Sequence, residues 1–214
     1  MAGDPFIFEP SSFGLTDTQL RLIGKVAISW NDLEAQLEER IWQIAKWDKT
    51  IGAFVTTHMH NIPRVLLFNN LVNHVISDAH LRDYATTWVA MFDKVRERRN
   101  DVVHALPHFN IREGFDTYVK RTTKKGTGTV KVTAHDFDTA AVSLIASDTV
   151  LCSVGSYVLY EKISRYLNGG VTQLPADDSG YELERVIVAR IQTRLTELRR
   201  QHPAQGNTQP QPQP

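Results

Sequence analysis

The residues of this 214-residue chain best suited to chemistry lie in one run, Arg98-Arg99-Asn100-Asp101-Val102-Val103-His104-Ala105. A histidine, with an unperturbed pKa of about 6.5, takes or gives a proton near neutral pH. A guanidinium stays charged and matches two phosphate oxygens at once. Arg99 and His104 together therefore suit proton transfer beside a bound phosphate. Asn100 would orient the imidazole or the phosphate. On an ideal helix, Arg99 and His104 differ by about 140° in direction and about 7.5 Å in height, so they do not share a face. Asn100 and His104, four residues apart, do share one. A long arginine side chain can swing toward that face. The competing reading of His104 is a helix C-terminal histidine interacting with the helix dipole.

A second clue lies on the first helical stretch, Thr16 to Trp47. Ile23, Ala27, Trp30, Glu34, Leu37, Ile41 and Ile44 recur at alternating steps of four and three, as expected of a seam packed on other helices. Glu34 is the one charged residue on that seam. A buried carboxylate needs a cation or several donors. Arg99 is the favoured partner, with Arg96 or Arg98 as alternatives. If the seam is only half buried there, Glu34 reaches water instead.

Net charge is zero, which argues against a sequence-blind nucleic-acid binder, but the charges are unevenly placed. The window from Lys94 to Lys131 holds ten basic residues against four acids, hence +6, and the rest of the chain carries −6. Within that window Tyr118-Val119 and Val130-Lys131-Val132 flank Lys125-Gly126-Thr127-Gly128, which predicts a basic β-hairpin spanning about residues 115–134. Lys120, Arg121, Lys124, Lys125 and Lys131 are its candidate RNA-binding residues. The competing reading is a solvated helix end beside a solvated hairpin.

The remaining elements are helical. A helical region with a restart at His60-Asn61-Ile62-Pro63 runs through Val75, because proline is tolerated in a first turn. Ser77-Asp78 offers an N-cap for the motif helix, from about Ala79 to Ala105, whose apolar positions include Leu81, Tyr84, Trp88, Met91, Phe92 and Val95. Asp136 or Asp138 is expected to cap a long core helix that ends at about Leu167, stopped by Gly169-Gly170. A last amphipathic helix spans about Tyr181 to Arg200. The predicted fold class is all-α: a helical bundle with an inserted basic hairpin. Residues 1–15 read as an irregular N-terminal segment, 16–201 as the helical domain, and 202–214 as a disordered Gln/Pro tail.

Arg99-Asn100 followed by His104 resembles the motif of HEPN domains, in which a histidine stands four to six positions after an arginine. The order of elements is similar as well: a long first helix carrying Trp30, Glu34 and Leu37, then the motif helix, then further helices. The resemblance extends over about Thr16 to Leu167. It implies a helical bundle and a metal-independent ribonuclease, with Arg99, His104 and Asn100 as catalytic residues and Glu34 in support. It also implies a role in bacterial defence or a toxin–antitoxin pair, with RNA as substrate and an antitoxin as candidate partner. In that family two motifs usually meet across a dimer, so a homodimer is expected.

The other candidates are weaker. His58 and His60 differ by about 200° on a helix and cannot share a metal there; His74 and His80, six apart, are equally unsuited. The chain has no Cys-x-x-Cys and no His-Glu-x-x-His, so no metal and no cofactor is expected. Gly126-Thr127-Gly128 reads as a hairpin turn, because no Gly-Lys-Ser/Thr follows. Cys152, the only cysteine, sits among apolar residues; it excludes an intrachain disulfide and fits a reducing compartment. Met1 to Pro10 show no signal-peptide pattern, and no stretch approaches the roughly 20 apolar residues of a membrane span. A cytoplasmic location is therefore expected. The alternatives to a nuclease are a non-catalytic helical dimerisation module, or a subunit that binds RNA or nucleotide for a separately encoded enzyme.

Overall fold

A computed structural model of the protein describes residues 16–104, 106–107, 117–123, 130–136, 139–170 and 182–201. The expectations for residues 1–15, for the turn at Lys125-Gly126-Thr127-Gly128 and for the tail from Pro203 fall outside these residues.

Six helices form the framework among the described residues: α1 (Asp17–Ala45), α2 (Lys49–Thr56), α3 (Asn61–Val75), α4 (Ala79–His104), α5 (Thr139–Leu167) and α6 (Glu182–Gln201). The predicted all-helical framework is what the chain adopts. Its helix starts follow from side chains that satisfy orphan N–H groups. Thr16 Oγ1 accepts from Gln19 N at 3.2 Å while Gln19 Oε1 accepts from Thr16 N at 2.9 Å, a reciprocal cap for α1. Asp48 Oδ1 accepts from Thr50 N and Ile51 N to start α2. Asp78 Oδ1 accepts from Leu81 N at 2.7 Å to start α4. Gly169 ends α5 with φ +73°, a conformation costly for any residue with a Cβ.

Between α4 and α5 the described backbone has three short strands, β1 (Leu106–Pro107), β2 (Thr117–Thr123) and β3 (Val130–Asp136), antiparallel in the order β1-β2-β3. Of the two expected caps of α5, Asp136 is instead the last residue of β3, paired with Thr117, and Asp138 falls outside the described residues.

α5 packs on α1 and α4, α6 on α4 and α5, and α3 on α1 and α4. The centre is aromatic. Trp30 meets Phe92 at 4.9 Å between ring centroids, Phe68 meets Trp88 at 5.6 Å, and Trp88 meets Phe92 at 5.9 Å. The buried polar tips find backbone partners on α5: Trp88 Nε1 donates to the Cys152 carbonyl and Tyr84 Oη to the Gly155 carbonyl, both at 2.9 Å. Gly155 permits the close approach, since a Cβ there would stand 2.3 Å from Ile191 Cδ1. Burial pushes the Cys152 thiol far above its ordinary range, so it packs as a small apolar side chain.

Two sequence expectations shift. The buried line of α1 runs Val26, Trp30, Leu33, Leu37, Ile41 and Ile44. Leu33 thus takes the place assigned to Glu34, which lies one residue aside and is half-buried. Steps of three and four fit a period of 3.6 equally well, so periodicity could not choose between them. The packing of the core did. The second shift concerns α5 itself, which is long and apolar enough to cross a membrane by length and composition. More than half of its most apolar stretch, 56%, is buried among the other helices, so a core helix wrapped on several sides carries this apolar character.

Candidate functional site: a polar cleft beside the motif helix

The apolar stripe of α4 runs Trp88, Phe92, Val95 and Val102, and Arg99 falls on the same line between the last two. Val102 joins a small second cluster with Val26, Val142, Ile145 and Ala146, which anchors the motif end of α4 to the starts of α1 and α5. Held by this packing, Arg99 is half-buried, with its guanidinium carbon 6.0 Å from the centroid of the Trp30 ring. Its Nη1 donates to Asn100 Oδ1 at 3.1 Å. Arg99 and Asn100 are thus coupled. His104 is the last residue of α4.

Asn100 lies on the wall of a cleft of about 690 Å³ between α1, α3 and α4, together with Glu34, His60, Asn61, Arg64 and Arg96. The α2–α3 junction supplies one side. Arg64 reaches back from α3 to pair with Glu38 at 2.8 Å and donates to the Thr56 carbonyl. Thr56 Oγ1 in turn donates to Glu38 at 3.1 Å, so α1, α2 and α3 are tied together at the cleft edge. Asn61 Nδ2 donates to Glu34 Oε1 at 2.5 Å.

That last bond corrects the expected partner of Glu34. An amide from α3 meets the carboxylate, while Arg99 donates to Asn100 and Arg96 pairs with Asp93 on its own helix at 2.8 Å. Arg98, the remaining alternative, points elsewhere and pairs with Asp148. The physical reason is the seam shift: with Leu33 facing the core, Glu34 turns toward α3, where Asn61 is in reach. Glu34 and Asn100 nevertheless line one cleft, so the two residues singled out from separate helices do come together.

Sequence reasoning missed a second polar cluster. Asp148, on the buried face of α5 with its side chain 5% exposed, receives Arg98 from α4 and Arg194 from α6. Arg194 Nε and Nη2 contact its two oxygens at 2.7 and 3.1 Å, and Nη1 reaches Glu197 at 2.8 Å. Hydrogen bonding to Asp148 raises the pKa of Arg194, whereas burial lowers that of Arg98, with Asp148 opposing the loss. This cluster locks α4, α5 and α6 together. Its signal was present: Asp148 is the only charged residue from Thr139 to Tyr160. His60, Asn61 and Arg64 carried no such signal, because only the path of α3 brings them opposite Asn100.

The candidate RNA-binding residues lie in the strand insertion. Lys120 and Arg121 are in β2, opposite Thr133 and Val132, and Lys131 is in β3, opposite Thr122. Lys124 and Lys125 fall outside the described residues.

Fold and site together define the class: a helical bundle with an Arg-Asn pair beside a polar cleft. Compared with known proteins, the chain matches no family model, no curated protein and no solved structure.

Proposed function

We propose that the protein is a metal-independent endoribonuclease of HEPN type, cleaving RNA by attack of a 2′-hydroxyl on the adjacent phosphate. The observation that carries this reading is the coupling of Arg99 to Asn100 on α4, with Asn100 on the wall of the polar cleft. Arg99 supplies a permanent charge for the phosphorane, its guanidinium carbon 6.0 Å from the Trp30 ring centroid, and Asn100 keeps that guanidinium oriented. His104, one turn beyond Asn100, supplies proton transfer. Glu34 and Asn61 support the cleft wall. The HEPN resemblance extends the proposal to a toxin or antiphage effector restrained by an antitoxin. The decisive experiment incubates purified protein with total RNA in EDTA beside a His104→Ala control; RNA left intact by the wild type ends the nuclease reading.

A specific observation favours a second reading. Arg99 lies on the buried stripe of α4, so the same pair can serve as a packing anchor in a non-catalytic dimerisation module.

The proposed active form is a homodimer that joins two motif helices, since a single Arg–His pair makes a sparse site. Sedimentation is expected to give a dimer at tens of micromolar, and a strict monomer would count against this arrangement. The basic insertion guides RNA rather than performing chemistry. Replacing Lys124 and Lys125 with alanine is expected to weaken RNA binding and flatten its salt dependence, by about one unit of slope for each phosphate that is no longer neutralised. The cleavage pattern should stay the same. An unchanged salt slope would make the insertion a bystander.

A further inference from the structure

Cleavage through a 2′-hydroxyl needs two proton movements at one phosphate. The 2′-oxygen bonds to phosphorus as the bond to the 5′-oxygen breaks. One base takes the 2′-hydroxyl proton and one acid gives a proton to the departing 5′-oxygen. The products are a 2′,3′-cyclic phosphate and a free 5′-hydroxyl, so atoms and protons balance without a co-reactant. Of Arg99, Asn100 and His104, only His104 takes and gives a proton near neutral pH. An arginine does not fill the second role, because it stays protonated.

We propose that His60 is the second proton-transfer group of this cleft, an inference that rests on the nuclease reading above. His60 is the one histidine among the described residues that line the cleft, which it shares with Asn100. It stands at the N-cap of α3, where a side chain ordinarily serves the helix by accepting from an N–H of the first turn. The His60 side chain makes no such bond. Its backbone carbonyl accepts from Arg64 N at 3.2 Å, the ordinary first bond of the helix. The imidazole is exposed at the cleft mouth and so is accessible to a polymer.

The surroundings suit a group that changes charge. Glu34 enters from α1, Arg64 from α3 and Arg96 from α4. Each already has a partner: Asn61, Glu38 and Asp93 respectively. Arg64 and Arg96 are thus paired with carboxylates, whereas Glu34 faces a neutral amide and brings its own charge to the cleft wall. Arg64 and Arg96 place positive charge on the wall that His60 shares, where a bound phosphate would be welcome. The two proton-transfer groups would then come from the end of α4 and the start of α3.

The test measures kcat and KM on a short RNA in EDTA, from about pH 5 to pH 9, for wild type, His60→Ala and His60→Asn. Asparagine is a favoured N-cap, so the second variant keeps α3 intact even where alanine loosens it. Both variants are expected to lose 10²- to 10⁴-fold in kcat with little change in KM, and to lose one limb of the pH profile. If wild type cleaves and His60→Asn keeps its rate and both limbs, His60 has no such role and the nuclease reading stands. A rise in KM alone would reassign His60 to binding and overturn the proposal. RNA left whole by the wild type removes the nuclease reading and this role together.

Discussion

Replacing Asp148 with alanine is expected to destabilise the fold by about 3–5 kcal/mol, the cost of leaving buried cations without their counter-charge. Arg98 and Arg194 converge on this carboxylate from two other helices, and their side chains are each only 16% exposed. Neither can simply turn to water. Burial lowers the pKa of Arg98 and Asp148 opposes that loss, so removing Asp148 takes away a compensating charge. Urea midpoints measure the loss directly. Glu197→Ala is the control: its side chain is 49% exposed, and an exposed ion pair contributes roughly 0–1 kcal/mol. Replacing all three buried members with apolar residues of similar size should recover much of the stability, because no ion then needs desolvating. A single Asp148→Ala variant as stable as wild type would show that the two arginines are solvated in solution.

The largest effect on activity is expected at the motif. His104→Ala should lower cleavage by 10²- to 10⁴-fold, the usual worth of a positioned proton-transfer group. Arg99→Ala should lower it by on the order of 10²- to 10³-fold, by analogy with other preorganised donors to a developing anion. Residues that act on one phosphate as a unit are not additive, so the double variant should be scarcely slower than the slower single one. Cleavage should persist in EDTA and leave a 2′,3′-cyclic phosphate. Arg99 also lies against the Trp30 ring, so its removal has a packing cost besides any loss of chemistry. Arg99→Lys separates the two effects: it keeps an aliphatic stem and a charge but loses the planar fork. Activity restored by lysine would mean that charge alone suffices there, and loss of folding in both alanine variants would favour the scaffold reading.

Much of the fold was legible because it depends on local chemistry. Thr16 with Gln19, and Asp78 before Leu81, start helices by bonds that span three residues. Leu81, Tyr84, Trp88, Met91, Phe92 and Val95 repeat at helical spacing and are all buried. Gly169 marks a stop that only glycine adopts cheaply. These features are set within a turn or two of chain, so the residue order alone determined six helical stretches and which stripe of α4 faces inward.

What the order of residues left open was every choice between faces that fit one period equally well. Leu33 and Glu34 both complete the seam of α1, and the packing of the core buried Leu33. That decision turned Glu34 to Asn61, 27 residues away, instead of to an arginine. His60, Arg64 and Asn100 became neighbours around one cleft only when α3 folded back across α1 and α4. Asp148 was visible as a lone charge in an apolar helix, but its two arginines come from helices 50 residues before it and 46 after it. Helix formation and capping are short-range and can be read along the chain. The pairing of a charge, or the composition of a cleft, depends on which helices meet, and that is fixed by the packing of the whole core.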